Sequence, residues 1–323
     1  MEELTYTPKR AAQVLGITLK ELERALERDE YTPEELLELR QKLQKLPRDL
    51  GRVRKQLFLN FKGGTGKTSL SSSYAFRLAE MGYAVLLVDL DSQGHATKCL
   101  GLEGENFPRT LVEVLTKKAK LADVIVNSGY PLLDLVPSNL GMSTIDLALM
   151  PMAGREFKLR AALKEIEEHY DFIILDAPPS FGLLNLNALV ASDDLIIPVL
   201  ADFLSFHGLK LLFEQVQVIG EDLETHLENI FIVVNAYNQT FKIAREALDA
   251  LKAASPVDEA AVKAAETKVA TLKDDGKVKD AMLTAALGAE LKAHGYPAKA
   301  DPAEVDKVTV TIILVYLVIL VTM

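Results

Sequence analysis

Cysteine is nearly missing from this chain of 323 residues: Cys99 stands alone. A lone thiol closes no internal disulfide, which points to a reducing compartment and a cytoplasmic location. It also excludes any site that needs several thiolates from one chain, such as an iron–sulfur cage or a four-cysteine zinc site. An excess of base is missing as well. The 36 Lys and Arg are outnumbered by 46 Asp and Glu, giving a formal net charge of −10 and a pI near 5.2. Bulk charge therefore cannot carry nucleic-acid binding, and any such contact has to come from a local patch. The N-terminal MEELTYTPKR lacks the apolar core of a signal peptide. With 49% hydrophobic and 25% charged residues, the composition excludes a disordered, collagen-like or disulfide-stapled chain. The length allows two domains, or one large α/β unit with extensions.

What is present divides into three stretches. Residues 1–50 are rich in charge of both signs and helical in pattern; residues 51–252 alternate apolar runs with amphipathic segments; residues 253–323 turn Ala-rich and then strongly apolar. In the middle stretch the runs at 57–61, 84–88, 132–136, 172–175, 195–200 and 230–234 have strand length. Helical patterns separate most of them, the first over 68–81 and closed by Gly82. Continuous Val/Ile/Leu runs alternating with helices predict an α/β fold, a doubly wound, mostly parallel sheet covered on both faces. Residues 1–50 would form a helical extension to it.

Between the first run and its helix lies Lys62-Gly63-Gly64-Thr65-Gly66-Lys67-Thr68, followed by Ser69. Backbone N–H groups at a helix N-terminus make a phosphate cradle there, and the glycines allow the tight turn and close approach. Lys67 can reach β/γ-phosphates and the Thr68 hydroxyl can ligate Mg²⁺. The loop departs from the ordinary G-x-x-x-x-G-K-[ST] form, because Phe61 holds the place of the first glycine and an extra lysine, Lys62, follows it. The pattern K-G-G-x-G-K-T resembles the deviant Walker A motif of the ParA/MinD family of positioning ATPases. The resemblance implies a P-loop NTPase fold, ATP and Mg²⁺ as ligands, and a nucleotide-sandwich homodimer. In that dimer Lys62 would cross to the partner's phosphates, a second ammonium serving as an arginine finger does.

Two further motifs stand where that family has them. Val88-Asp89-Leu90-Asp91-Ser92-Gln93-Gly94 resembles D-x-D-P-Q-G-N, with Ser92 and His95 replacing the Pro and Asn. Two residues apart on a strand, Asp89 and Asp91 are expected on one face beside the phosphate loop. Phe172-Ile173-Ile174-Leu175-Asp176-Ala177-Pro178-Pro179 resembles the family's Walker B strand. The resemblance gives Asp91 the orienting of an attacking water, Asp89 the support of the metal region, and Asp176 a hold on Mg²⁺ through water. It runs on to Asn235, a candidate adenine contact, and covers roughly residues 54–250. The catalytic set is then Lys62, Lys67 and Asp91. The nucleotide would be held by Lys62, Gly63, Gly64, Thr65, Gly66, Lys67, Thr68, Ser69 and Asn235, and the metal by Thr68, Asp89 and Asp176.

The function implied is slow, partner-stimulated ATP hydrolysis that partitions plasmid or chromosomal DNA, or positions another large cargo, with an activator of ParB type and a place at the nucleoid. A MinD-like regulator cycling on membranes is the alternative. A redox relative would need two cluster thiolates per subunit, and an amidoligase of the same superfamily would need a substrate pocket that the sequence does not reveal.

Both ends of the chain pose separate questions. Residues 6–18 read as the opening of a helix-turn-helix, with Gly16 breaking one helix, Thr18 capping the next, and Thr32-Pro33 starting a third. The arrangement resembles the MerR-like modules preceding some partition ATPases, which would place Lys20 and Arg24 near DNA. Glu21, Glu23 and Glu27 crowd the same helix, leaving a dimerisation or linker helix open. Arg48, Arg52, Arg54 and Lys55 are the densest basic cluster, either a DNA patch or a solvated linker. Beyond Lys252 the family pattern stops: 256–270 and 277–294 read as helices parted by a turn at Asp274-Asp275-Gly276, and this slightly acidic stretch lacks the family's basic DNA surface. Residues 308–323 carry no charged side chain. As a helix they would span about 24 Å, short of the ~30 Å hydrocarbon core. They could otherwise supply a buried strand, or be foreign to the fold.

Overall fold

The structure, a computed structural model, describes residues 4–47, 49–200, 203–235 and 309–314. Three helices open the chain, α1 (Pro8–Leu15), α2 (Leu19–Ala25) and α3 (Pro33–Lys42). Each is started by a threonine. The hydroxyls of Thr7, Thr18 and Thr32 accept first-turn N–H groups, and Thr18 and Thr32 complete capping boxes with Glu21 and Glu35. Gly16, at φ 66°, ends α1 in the left-handed conformation. Tyr6, Leu15, Leu22, Tyr31, Leu36 and Leu39 close a small core of their own.

The second unit is built on β1 (Arg54–Phe58), α4 (Lys67–Glu80), β2 (Val85–Asp89), α5 (His95–Cys99) and α6 (Leu111–Leu115). Next come β3 (Val126–Tyr130), β4 (Leu133–Val136), α7 (Ile145–Leu149), α8 (Lys158–Lys164) and β5 (Phe172–Asp176). The chain continues through α9 (Leu183–Ala191), β6 (Asp194–Leu200), α10 (Phe203–Leu223), β7 (Asn229–Asn235) and β8 (Thr309–Leu314). The strands form one eight-stranded sheet in the order β3-β4-β2-β5-β1-β6-β7-β8. Its described pairs are parallel except β3 with β4.

The pleat turns each continuous apolar run into two cores. Leu57, Leu86, Val88, Ile173 and Leu175 join the core beneath α6–α9, while Phe58, Val85, Leu87, Phe172 and Ile174 join the one beneath α4. Burying each such side chain is worth about 1.5–3 kcal/mol. The first strand sits three residues earlier than its apolar run suggests, and the reason is electrostatic. Its polar start is neutralised: Arg54 pairs with Asp194 and Glu228, and the Gln56 amide donates to Asp194 Oδ2 at 2.9 Å. Arg52 pairs with Glu228, and Lys55 lies 3.4 Å from Glu167 and 3.7 Å from Asp193. Arg52, Arg54 and Lys55 therefore join one ion network, in which Arg54 is buried and Arg52 half exposed, and Arg48 lies outside the described residues. The sequence reading also missed β3, whose Asn, Ser and Gly give it no apolar run.

β8 pairs with β7 from Asn229↔Thr309 to Val234↔Leu314. Of the three readings of 308–323, a sheet strand is the one that forms over 309–314. No helix among the described residues is long and apolar enough to cross a membrane. The helices expected at 256–270 and 277–294, and the turn between them, lie outside the described residues.

The N-terminal helices dock on the end of α4 through one buried guanidinium. Arg40 Nη2 donates to Val14 O at 2.8 Å and to Glu80 O at 3.0 Å, and Nη1 donates to Lys45 O at 3.0 Å. A cation thus satisfies the orphan carbonyls at the C-terminal ends of α1 and α4, where the helix dipoles favour it. Tyr6 and Tyr130 share a hydroxyl–hydroxyl bond of 3.0 Å across the same seam. We predict that Arg40→Met lowers the unfolding free energy by about 2–4 kcal/mol, because the buried carbonyls of Val14 and Glu80 and the part-buried one of Lys45 lose their donor. Arg40→Lys should recover less than half of that, since an ammonium cannot span the three acceptors; urea denaturation of the three proteins measures it.

Candidate active site

Parallel pairing brings the carboxyl ends of β1, β2, β5, β6 and β7 to one edge. Register sets Asp176 beside Phe58 on one side and Asp89 on the other, and Leu200 beside Asn235. After β1 the chain leaves for β2 and β4 on one side and later returns to β6 on the other. The crevice at such a divergence is where open α/β sheets bind ligands.

The phosphate loop fills that crevice. Asn60 braces its start: the side chain donates to Pro198 O at 2.7 Å and accepts from Lys62 N at 3.0 Å. Gly63 and Gly64 form the exposed tip, and Thr65 turns back inside. Gly66 has φ 92°, and a Cβ on it would lie 2.3 Å from Asn235 Nδ2. Both the backbone conformation and the lack of room require glycine there. Asn235 Nδ2 donates to Thr65 O at 3.0 Å, which ties the end of β7 to the phosphate loop. Lys67, Thr68 and Ser69 make the first turn of α4. Lys67 is only 7% exposed, and its Nζ donates to Lys62 O at 3.2 Å. Burial pushes its pKa down, while the negative charges of Asp176 and Asp91 act to raise it.

The two carboxylates at the strand ends have different surroundings. Asp176 is fully buried. Its Oδ1 accepts the Ser71 hydroxyl at 2.9 Å, and its Oδ2 has no hydrogen-bond partner. Burial, then the neighbouring Asp89, push its pKa up to about 7 against the pull of Thr68, Ser71 and Lys67. An orphaned buried carboxylate oxygen beside the Thr68 turn fits a cation. Among the described residues no group of three or more His, Cys, Asp and Glu could hold a metal alone. That matches Mg²⁺, which takes one or two protein ligands and completes its shell from phosphates and water.

Asp89 is also fully buried, but both its oxygens are engaged. Oδ2 accepts the N–H and hydroxyl of Thr97 at 2.8 and 2.7 Å, and Oδ1 accepts Asp91 N at 3.1 Å. The expected common face of Asp89 and Asp91 does not arise from a strand pleat, since β2 stops at Asp89. Asp91 sits in a turn closed by Gly94 N on its carbonyl at 2.9 Å, with Gln93 N on its Oδ1 at 3.0 Å. Residues without a motif complete the arrangement. Asn185 donates to Pro178 O at 3.0 Å and also to Ser180 O, holding the loop after Asp176. Asp146 accepts Leu184 N at 2.9 Å and so caps α9 from α7. Ser71 had a readable signal, one helical turn beyond Thr68, and Asn185 lies within seven residues of both its acceptors; Asn60 reaches Pro198 and Asp146 reaches Leu184 through contacts set by the tertiary fold.

A pH dependence follows from Asp176. With an ordinary value near 3.8 and a folded value near 7, the nucleotide-free protein holds a proton that the unfolded chain has released. This group's contribution to stability is complete below about pH 4 and is lost as pH rises towards about 7. We predict that Asp176→Asn, measured in EDTA without nucleotide, flattens the fall in Tm between pH 5 and 8. It should also raise Tm at pH 8.

Residues 53–229 match the AAA domain family. Over 256 residues the chain is 64% identical to the cell division protein PomZ of Myxococcus xanthus (strain DK1622), covering 79% of this chain and 80% of that one. It is 39% identical over 168 residues to the sporulation initiation inhibitor protein Soj of Bacillus subtilis (strain 168), covering 52% of this chain and 66% of that one. A solved structure of cobyrinic acid a,c-diamide synthase from Mycobacterium smegmatis, with bound ATP analog and magnesium, matches with a TM-score of 0.57 at 30% identity, covering 62% of this chain and 82% of that one. ATP and Mg²⁺ are the ligands that this site takes. With a second lysine ahead of Lys67, and Asp91 and Asp176 at the neighbouring strand ends, the chain belongs to the ParA/MinD family of deviant Walker A ATPases.

Proposed function

We propose that this ATPase is an ATP-dependent homodimer that positions a large intracellular cargo in cell division, and that its useful output is the change of state on hydrolysis. The observation that carries this reading is the division of labour within one phosphate loop. Lys67 is folded inward onto its own loop, whereas Lys62 precedes an exposed tip of two glycines where a second copy can approach. PomZ, with 64% identity, supports the cell-division role by its name. The 30% identity to the diamide synthase supports a shared nucleotide site and carries no ligase substrate with it.

In this mechanism Lys67 and the loop N–H groups hold the β/γ-phosphates of the bound ATP. Asp91 orients the attacking water, and Lys62 of each subunit meets charge developing on the other subunit's nucleotide. Thr68, and Asp176 through water, would hold Mg²⁺, which when bound would neutralise phosphate charge. Asp89 fixes the loop that carries Asp91 and supports the metal region only indirectly. An activator of ParB type would stimulate a slow basal rate, and DNA would be the track or cargo. Lys20 and Arg24 of α2 are exposed for such a contact, alongside exposed Glu21 and Glu23. The strand at 309–314 weighs against a membrane-anchoring role for the apolar run.

We expect Lys67→Ala to abolish ATP-dependent dimerisation in light-scattering chromatography. Asp91→Ala should bind ATP, accumulate as a dimer, and lose about 100-fold or more in phosphate release. If both variants dimerised and hydrolysed like the parent, the mechanism would be wrong. DNA binding should require ATP and fall linearly in log K against log salt, as a phosphate-dominated contact must. Lack of ATP-dependent binding at low salt would remove DNA from the reading.

A further inference from the structure

We propose that Thr97 is a positioning residue for ATP hydrolysis: acting through Asp89, its hydroxyl fixes the turn that carries Asp91. The inference rests on the reading of Asp91 as the residue that orients the attacking water.

Thr97 is fully buried at the third position of α5. Its backbone N–H already supplies what the start of a helix needs, a bond to the Asp89 carboxylate at 2.8 Å. The hydroxyl is therefore surplus to capping, yet it makes two bonds to distant segments. It donates to Asp89 Oδ2 at 2.7 Å and accepts Ser138 N at 3.0 Å. Its polarity is fixed, since a backbone N–H can only donate and the carboxylate accepts. The chain of bonds runs from Ser138 N–H through Thr97 to Asp89 Oδ2. Across the same carboxylate, Oδ1 receives the N–H of Asp91 at 3.1 Å.

The other side of the turn rests on the same place. Gly94, which closes the turn on Asp91 O, has φ 62° and so little room that a Cβ would lie 2.9 Å from Ser138 O. Asp91 is thus held at its N–H by Asp89 and at its carbonyl by Gly94. Asp89 is oriented by Thr97, which bonds Ser138, and Gly94 abuts the Ser138 carbonyl. Within the turn, the carboxylate of Asp91 accepts the N–H of Gln93 through Oδ1. Reactions that depend on an oriented water are steep in geometry, with about 100-fold at stake for a displacement of ~1 Å. The phosphate loop is built by other bonds, from Asn60 and Asn235. Loss of the Thr97 hydroxyl should therefore reach hydrolysis and spare ATP binding.

The test uses the full-length protein and compares Thr97→Val, Thr97→Ser and Asp91→Ala under steady-state ATP hydrolysis, with ATP affinity measured separately by equilibrium titration. Thr97→Val keeps the shape and removes the hydroxyl. Its kcat should fall about tenfold while the KM and Kd for ATP stay within about twofold. Thr97→Ser, which keeps the hydroxyl, should restore kcat to within about twofold of the parent. The proposal is overturned if Thr97→Val retains full kcat, if it fails to fold or loses ATP binding, or if Thr97→Ser is as slow as Thr97→Val. If Asp91→Ala hydrolyses like the parent, the underlying reading of Asp91 fails; if Asp91→Ala is inactive and Thr97→Val is not, only the role of Thr97 fails.

Discussion

The register between β5 and its two neighbours is the constraint on which the rest of the site depends. It sets Asp176 beside Phe58 on β1 and beside Asp89 on β2. Because side chains alternate across a sheet, a slip of one residue would turn Asp176 to the opposite face. Its bond to Ser71 of α4 would go, and so would the charge facing Lys67. The register is held by apolar side chains on both faces. At the far edge, the pairing of Arg54 with Asp194 and Glu228 ties β1 to β6 and to the start of β7. Breaking such a network by removing one partner is costly because it leaves a buried charge behind.

How far the sequence could be read follows from the same physics. The sheet was legible because strands buried on both faces must be apolar throughout, and Val85–Asp89 and Phe172–Asp176 are buried at every residue. The phosphate loop was legible because Gly64 and Gly66 take the left-handed backbone that favours glycine, and Lys67 and Thr68 supply its chemistry. Among the N-terminal helices, α2 and α3 announced themselves through the caps Thr18 and Thr32, and the end of α1 through Gly16. What stayed hidden depends on pairing between distant residues. β1 begins at Arg54 because Asp194 and Glu228, far along the chain, neutralise it. Asn235 binds Thr65 across 170 positions. No local pattern encodes either contact. The pleat argument for Asp89 and Asp91 failed for a simpler reason: periodicity holds only while the strand lasts, and this one ends at Asp89.

One helix joins the two units of the protein. The first turn of α4 carries Lys67 and Thr68, while its last turn presents Glu80 to the N-terminal helices. Fourteen residues make a rod of about 21 Å, and its buried side chains lock it against the sheet through Leu70, Tyr74, Ala75 and Leu78. The N-terminal helices are therefore fastened to an element of the nucleotide site rather than strung on a loose linker.

The seam itself is made of charge, which calls for an account of why it holds. Arg10 and Arg77 gather around one carboxylate, Glu80, whose side chain is 2% exposed, and Arg40 lies close enough to act on Arg77. Burial first, and then Arg10 and Arg40, push the pKa of Arg77 down to about 10, so it stays charged at neutral pH. Two of these cations face that carboxylate directly, Arg10 at 3.6 Å and Arg77 within its own helix. Arg40 has carbonyls instead, those of Val14, Lys45 and Glu80. Those acceptors lie at or just beyond the ends of helices, where unpaired carbonyls and the dipole provide negative potential without a formal charge. Such a seam is directional in a way an apolar one is not: it forms only when α1, α3 and α4 present their ends to the same guanidinium. Apolar surfaces could slide over one another, whereas displacing Arg40 would strand three carbonyls and a buried cation together. Polarity here gives the docked arrangement its uniqueness, and the apolar cores on either side supply the stability.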